Sequence, residues 1–177
     1  MARMRHVHAC SLFCNPFLEE KTVFKYLCAL LACLVLACPV HAENGKSVTN
    51  DFYHVDLPES WDMIQSNDES GIYINVYTTV TKDATLTTAI SSAGNADMQL
   101  IAESFAEQYD ASDPPVIKEN HATFTYENFE GIDCTAYMAL QSGQYIIITI
   151  AGDQAKGKAF LKEFKSEKYP AFFAFKF

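Results

Sequence analysis

Few side chains of this chain have the chemistry of a catalyst. After residue 42, the sequence has two histidines, His54 and His121, and one cysteine, Cys134. A thiol beside an imidazole is an activated nucleophile, so Cys134 could pair with either histidine. The alternating pattern that Cys134 shares with Ala136 and Met138 instead favours a small buried hydrophobic residue on a strand. The sequence therefore predicts no catalytic residue and no cofactor.

Acidic clusters are a second kind of candidate site, because carboxylate oxygens are ligands of Ca²⁺. Residues Asn67–Glu69 lie in a predicted turn, and Asp110 and Asp113 follow a predicted helix. Neither cluster has the spacing of a known calcium loop, and both are ordinary in solvated loops. Carboxylates at a helix C-terminus are electrostatically unfavourable. Asp110 and Asp113 are therefore the candidate metal ligands.

Aromatic side chains give the third candidate, a recognition surface. Trp61, Tyr73 and Tyr77 could line such a surface, since exposed aromatic residues mark binding patches. Trp61 is the sole tryptophan and follows the strand-ending Pro58. The alternative interpretation is that Trp61 closes one end of the sheet and belongs to the core.

The N-terminal segment has the pattern of an export signal. Basic residues precede a short apolar run over residues 26–40, and small side chains follow at Val40 and Ala42. The run is shorter than the about 20 residues that a membrane-spanning helix needs. The sequence predicts a signal peptide over residues 1–42 that is cleaved after Ala42.

Lipidation is an alternative route of processing. Residues 35–38 loosely match a lipoprotein cleavage box, which would anchor the domain to a membrane at Cys38. Leu36 is larger than the usual residue there, and Pro39 directly follows the cysteine. These two features favour cleavage after Ala42.

The remaining chain is predicted to have a flexible leader over residues 43–51 and a single domain over 52–177. Nine basic and 20 acidic residues follow residue 42, which gives a net charge of about −11. Every one of these basic residues is lysine. Arginine is the usual bidentate partner of phosphate, so this composition argues against binding nucleic acid, nucleotides or anionic membranes.

The periodicity of apolar residues predicts an α+β fold. Alternation predicts strands over Phe52–Pro58, Gly71–Val80, Thr85–Ala93, Val116–Tyr126 and Ile132–Leu140. The nearly continuous apolar run Gln144–Ala151 predicts a central strand that is covered on both faces. The helical spacing of Met98, Ile101 and Phe105 predicts one helix, which Asn95 caps and Pro114 ends. A second predicted helix is capped by Asp153 and ended by Pro170. The phenylalanine-rich tail could add a short strand. Hairpins interrupted by single helices indicate an antiparallel sheet of about six strands with two helices.

The segment Tyr53–Trp61 (YHVDLPESW) resembles the PsbP-like superfamily, and within it the DcrB-like bacterial exported proteins. Those proteins open with an aromatic-led strand, then Leu-Pro, a polar pair and Trp; Ser60 stands where they often have glycine. The order of strands and helices is similar to theirs over nearly all of the domain, and Ala159–Phe164 is similar to their last helix. The resemblance implies an α/β/α arrangement and a role in binding or assembly, and it supplies no catalytic residues.

The predicted function is therefore that of a periplasmic or secreted, non-catalytic binding or assembly factor of the cell envelope, with an unidentified envelope protein as partner. One alternative is a small envelope hydrolase or metal-dependent enzyme, which titratable residues converging in one pocket would favour. Another is a lipid-anchored subunit of an envelope complex, in which Cys38 carries the lipid.

Overall fold

The computed structural model describes residues 47–177. The predicted cleavage after Ala42 and the alternative lipid site at Cys38 lie outside the described residues. The strands are β1 (Ser47–Thr49), β2 (His54–Asp56), β3 (Trp61–Glu69), β4 (Ile72–Thr79), β5 (Ala84–Ser92), β6 (Val116–Lys118), β7 (His121–Glu127), β8 (Asp133–Gln141) and β9 (Gln144–Gly152). The helices are α1 (Met98–Gln108) and α2 (Gln154–Leu161), and a 3-10 helix covers Pro170–Phe173.

The main sheet has seven strands in the order β3-β4-β5-β9-β8-β7-β6, and every neighbouring pair is antiparallel. Strands β1 and β2 form a separate two-stranded sheet. The predicted α+β class with an antiparallel sheet and two helices is confirmed. The main sheet has one strand more than the about six predicted, and the two-stranded sheet is additional.

Strand β9 explains why the sheet is covered on both faces. Its Ile146, Ile148 and Ile150 are buried on one face, and Tyr145 and Ile147 are buried on the other. We call these the α2 face and the α1 face, after the helices that pack on them. A strand buried on both sides needs an almost continuous apolar run, which this segment has.

Helix α1 covers the half of the α1 face that lies toward the β6 edge. It packs on β6, β7 and β8, and its buried stripe consists of Met98, Ile101, Ala102, Phe105 and Ala106. Asp97, rather than the predicted Asn95, is the N-cap: its side chain accepts a hydrogen bond from the Leu100 N–H at 2.9 Å. A cap two residues later still begins the helix at the first residue of the apolar stripe.

Helix α2, the β1–β2 pair and the C-terminal segment cover the α2 face. Helix α2 packs on β5 and β9, and the 3-10 helix packs on β8. The tail thus forms a 3-10 helix at Pro170–Phe173 rather than the short strand that its phenylalanine-rich sequence suggests. Helix α2 ends at Leu161, well before Pro170. Among the described helices, none is both long and apolar enough to cross a membrane.

Three segments differ from the sequence-based expectation. Residues 47–49, predicted as part of the flexible leader, form β1, whose Val48 lies opposite Val55. The segment 116–126 is divided into β6 and β7 by a tight turn in which Glu119 has a φ of 53°. Strand β3 occupies a region for which no strand was predicted, because its polar sequence WDMIQSNDE carries no clear alternation.

Candidate functional site

An open cleft of about 410 Å³ lies where α2 passes the start of β3 and the end of β4. Its apolar lining consists of Pro58, Trp61, Val80, Ala159 and Phe160, and its polar lining consists of Ser60, Thr79, Thr81, Lys156 and Glu163. Val80 is 61% exposed, a large fraction for an aliphatic side chain. A concave apolar surface with a few polar groups is the usual form of a binding site.

Trp61 is the structural centre of this cleft. Its indole stacks on the ring of Phe160 in α2, with centroids 4.3 Å apart and planes at 20°, and only 6% of the residue is exposed. Backbone hydrogen bonds fix its position: the Trp61 N–H donates to the Pro58 carbonyl at 2.9 Å, and the Val80 N–H donates to the Ser60 carbonyl at 3.0 Å. Trp61 therefore belongs to the core and also contributes one edge to the cleft.

An ion pair between Asp83 and Lys156 joins the polar side of the cleft to α2. Asp83 also accepts hydrogen bonds from the hydroxyls of Thr79 and Thr81, at 2.8 and 2.9 Å. Its backbone carbonyl accepts from the Asp153 N–H at 2.9 Å. Asp153 is in turn the N-cap of α2, so the loop after β4 fixes the start of that helix.

Both charges of this pair are held in their ionised forms. The hydrogen bond from Lys156, followed by those from Thr79 and Thr81, lowers the pKa of Asp83 below its ordinary value. The hydrogen bond to Asp83 raises the pKa of Lys156 above its ordinary value. Each pKa moves away from neutrality, whereas a general acid or base needs a pKa near the working pH. The pair is suited to fixing a surface rather than to transferring protons.

The other two predicted aromatic residues do not line the cleft. Tyr77 is fully buried, so it cannot be part of an exposed recognition surface; its phenol accepts or donates a hydrogen bond to Tyr53 at 2.9 Å. Burial is the main cause that raises the pKa of Tyr77. Tyr73 is half-buried, and its ring contacts Phe52 with centroids 5.8 Å apart. Of the three predicted aromatic residues, only Trp61 lines the cleft.

One of the two predicted metal ligands, Asp110, forms part of the backbone motif that ends α1. Asp110 has a φ of 54° and follows the last turn of α1. The Ala111 N–H donates to the Ala106 carbonyl at 2.9 Å, and the Asp110 N–H donates to the Glu107 carbonyl at 3.3 Å. This is the Schellman pattern of a helix C-terminus. No group of three or more His, Cys, Asp or Glu side chains in residues 47–177, Asp113 included, is arranged to hold a metal.

The Cys134–His121 pairing that the sequence left open is wrong. Cys134 lies opposite Tyr126 on the α1 face, and His121 is an odd number of residues from Tyr126 along β7. Successive side chains of a strand point to opposite faces, so His121 is on the α2 face. There its Nε2 lies 2.8 Å from the Ala171 carbonyl oxygen. Burial is the main cause that raises the pKa of the Cys134 thiol.

His54 lies between Thr49 and Asp56 in a row of hydrogen-bonded side chains, an arrangement that the sequence did not predict. Its Nδ1 lies 2.8 Å from the Thr49 hydroxyl, and its Nε2 lies 3.1 Å from a carboxylate oxygen of Asp56. Thr49 and His54 are directly opposite each other in the β1–β2 pair. The shared parity of His54 and Asp56 was visible in the sequence. The hydroxyl was not, because Thr49 falls in the predicted leader.

Comparisons with known proteins give a distant likeness. No family model matches the chain, and no curated protein matches it. The chain is similar to the solution structure of cyanobacterial PsbP (CyanoP) from Synechocystis sp. PCC 6803, with a TM-score of 0.47 and 11% identity over 74% of this chain and 98% of that one. It is also similar to a crystal structure from Bacteroides thetaiotaomicron VPI-5482, with a TM-score of 0.45 and 11% identity over 71% of this chain and 50% of that one.

Both likenesses concern the fold alone. The DcrB-like subtype stays a prediction. No role of an individual residue is carried over from either structure. The interpretation of the cleft therefore depends on its own geometry.

Proposed function

We propose that this protein is an exported binding or assembly factor of the cell envelope that works without catalysis and recognises a protein partner at the Trp61 cleft. The observation that carries the proposal is the composition of the cleft. An exposed aliphatic side chain, Val80, lies beside a rigid aromatic pair, and the polar border includes Lys156, which is paired with Asp83, and Glu163. Such a centre with a polar rim is typical of a protein interface.

The rigidity of the cleft supports this role. Trp61 is held by its stacking on Phe160, and the loop after β4 is held by Asp83. A surface that is already ordered loses little conformational entropy when a partner binds. The predicted export signal supports a location in the periplasm or outside the cell, with cleavage after Ala42.

The experiment compares two matched substitutions. Val80 and Val116 are both 61% exposed, but only Val80 lines the cleft. The protein that begins at Glu43 is used to capture partners from its own envelope fraction, as wild type, Val80→Asp and Val116→Asp. We expect Val80→Asp to lose a partner that wild type and Val116→Asp retain. Equal capture by all three proteins would contradict a role of the cleft.

The same preparation tests the processing. We expect the N-terminal sequence of the exported protein to begin at Glu43. A lipid-modified N-terminus at Cys38 would instead support the lipid-anchored subunit.

A small envelope hydrolase is the second candidate, favoured by the contacts of Thr49, His54 and Asp56. A hydroxyl, an imidazole and a carboxylate in this order can generate a nucleophile. The test is hydrolysis of a p-nitrophenyl ester by wild type, His54→Ala and His121→Ala. Turnover that only His54→Ala abolishes would support a hydrolase, and equal rates in all three proteins would exclude this chain of residues as its centre.

A further inference from the structure

Strand β3 is an exposed edge of the main sheet. It is nine residues long and pairs on one side only, with β4, within the part of the chain that the structure describes. Ser66, Asp68 and Glu69 are exposed, and Ile64 is 40% exposed. The unpaired N–H and C=O groups of an edge strand are a template for a further strand.

The register shows which backbone groups of β3 point away from β4. Ser70 and Gly71 have φ values of 57° and 77°, as a two-residue type I′ hairpin requires. In such a hairpin the flanking residues Glu69 and Ile72 form a hydrogen-bonded pair, and hydrogen-bonded pairs then alternate along the ladder. The N–H and C=O groups of Ser66 and Asp68 therefore point away from β4.

The two edges of the main sheet differ in how they are protected. At the opposite edge, β6 has three residues, follows Pro114 and Pro115, and ends at Lys118. Short length, proline and lysine are the usual protections of an edge. Strand β3 has neither proline nor lysine, and its only irregularity is a bulge between Met63 and Gln65. The longer edge is thus the more open one.

We propose that β3 receives an extended segment of a partner protein as an added strand, and that this segment carries lysine or arginine and places one apolar side chain in the Trp61 cleft. The inference rests on the proposed function, because the cleft begins at the first residue of β3. In strand addition, main-chain hydrogen bonds supply affinity and side-chain pockets supply specificity. The edge and the cleft together provide both.

Charge identifies the class of partner. Strand β3 carries three carboxylates, Asp62, Asp68 and Glu69, and has no basic residue. Opposite charges in facing positions of neighbouring strands stabilise a sheet, and like charges destabilise it. A basic segment therefore fits this edge. A second copy of this chain paired through its own β3 would bring carboxylates together.

The first experiment uses a peptide of about ten residues that alternates valine and lysine, a length that matches β3. Amide hydrogen exchange of the protein that begins at Glu43 is followed by NMR with and without this peptide. We expect slower exchange at the Ser66 and Asp68 N–H groups, because the added strand would accept hydrogen bonds from them. The amides of β6 should not change. Absence of protection at saturating peptide would overturn the proposal.

A second measurement leaves the protein unchanged. The same peptide, N-methylated at alternate residues along one edge, keeps its charge but cannot donate main-chain hydrogen bonds from that edge. We expect its affinity, measured by fluorescence anisotropy, to be lower by at least about tenfold. Equal affinity for both peptides would mean that charge alone holds the peptide, and would overturn strand addition.

Variants then locate the site. Asp68→Lys should weaken binding severalfold, whereas Glu130→Lys, in the exposed turn after β7, makes the same change in net charge and should have much less effect. Equal effects would contradict a site at β3.

If Val80→Asp weakens binding while Ser66 and Asp68 stay unprotected, the cleft binds without strand addition. If protection persists in Val80→Asp at undiminished affinity, the edge binds and the proposed role of the cleft fails.

Discussion

The indole of Trp61 and the ring of Phe160 lie nearly parallel, with centroids 4.3 Å apart. This contact joins the first residue of the edge strand β3 to the inner side of α2. Phe160 also meets Tyr77 edge-on, with centroids 5.4 Å apart, so the stack continues into the core of the α2 face. The cleft and the core therefore share one aromatic wall.

Replacement of Trp61 by alanine should cost about 3–5 kcal/mol of unfolding free energy, as truncation of a large buried aromatic residue does. The reason is loss of the stack on Phe160 together with a cavity at the corner of the sheet. Chemical denaturation measures the change. Native fluorescence of the wild type should be blue-shifted and poorly quenched by iodide, because 6% of Trp61 is exposed.

Trp61→Phe is the matched control, since it keeps an aromatic ring at the site and should cost clearly less than Trp61→Ala. If Trp61→Ala leaves the melting temperature unchanged and iodide quenches the wild type readily, the structural role is wrong. Trp61 would then act through contact with a partner alone.

Gly157 marks the closest approach of α2 to the sheet. A Cβ atom at this position would lie 2.3 Å from Cγ2 of Ile150, which is fully buried. Gly157→Ala gains about 1 kcal/mol of helix propensity, but overpacking a core costs typically about 1–3 kcal/mol. We expect a net loss of stability, measured by chemical denaturation.

Ala155→Gly serves as the control for propensity, because Ala155 is exposed on the same helix. It should lower stability by up to about 1 kcal/mol without any steric effect. A Gly157→Ala variant that is more stable than wild type would mean that α2 can move away from Ile150.

Sequence patterns were sufficient for the strands and helices with strong periodicity. Segment 144–151 was predicted as a central strand from its continuous apolar run, and β9 lies in the middle of the sheet with both faces buried. Helix α1 was predicted from the spacing of Met98, Ile101 and Phe105, and these side chains are buried. An element that is buried on one face or on both faces needs apolar residues at regular positions, and this pattern can be read from the sequence.

Strand β3 and the Trp61 cleft could not be predicted in the same way from the sequence pattern. An edge strand with an exposed side has little apolar alternation, and its pairing with β4 depends on a two-residue turn and a bulge. The cleft forms only when α2 comes to lie beside β3, two segments that are far apart in the chain. Trp61 could be chosen from the sequence as a single residue. Its partners Phe160 and Val80 could not, because they come from separate elements.

Asp110→Gly should stabilise the protein by about 1 kcal/mol. Asp110 has a φ of 54° at the end of α1, where glycine avoids the strain of the left-handed conformation. The substitution also removes a negative charge from a helix C-terminus. Thermal denaturation measures the effect.

Asp113→Gly is its control, since Asp113 has no positive φ, and it should give no such gain. Addition of CaCl₂ tests the metal hypothesis on the same samples. A rise in the melting temperature of wild type with Ca²⁺ that Asp110→Gly and Asp113→Gly both lack would contradict a purely structural role.

The Cys134 thiol should react slowly in the native protein. Only 3% of the residue is exposed, and burial, the main cause, raises the pKa of the thiol, so little reactive thiolate is present at neutral pH. Labelling with Ellman's reagent of the protein that begins at Glu43 should be far slower than labelling of glutathione, and denaturant should abolish the difference. Rapid stoichiometric labelling of the native protein would instead indicate a redox or nucleophilic role.

The stabilising effect of the Asp83–Lys156 pair should depend on pH in a defined direction. The pKa of Asp83 is lowered in the folded protein, chiefly by the hydrogen bond from Lys156. The contribution of Asp83 to the stability of the fold is therefore fully present above its unfolded pKa of about 3.9, and it is lost as the pH falls through the lower folded pKa. The pKa of Lys156 is raised in the folded protein. Its contribution to stability is therefore fully present below its unfolded pKa of about 10.4, and it is lost as the pH rises through the higher folded pKa.

Thermal denaturation of wild type and Asp83→Asn at a series of pH values measures this dependence. We expect a constant difference in melting temperature from about pH 5 to pH 9 and a shrinking difference below about pH 4, since protonation removes the same charge in wild type that the substitution removes. Glu130→Gln, in an exposed turn, controls for the loss of any carboxylate. Because the pair is about half exposed, salt should also reduce the difference. A difference that is the same at pH 2 and pH 7 would mean that the hydrogen bonds from Thr79 and Thr81, rather than the charge, fix the loop beside the cleft.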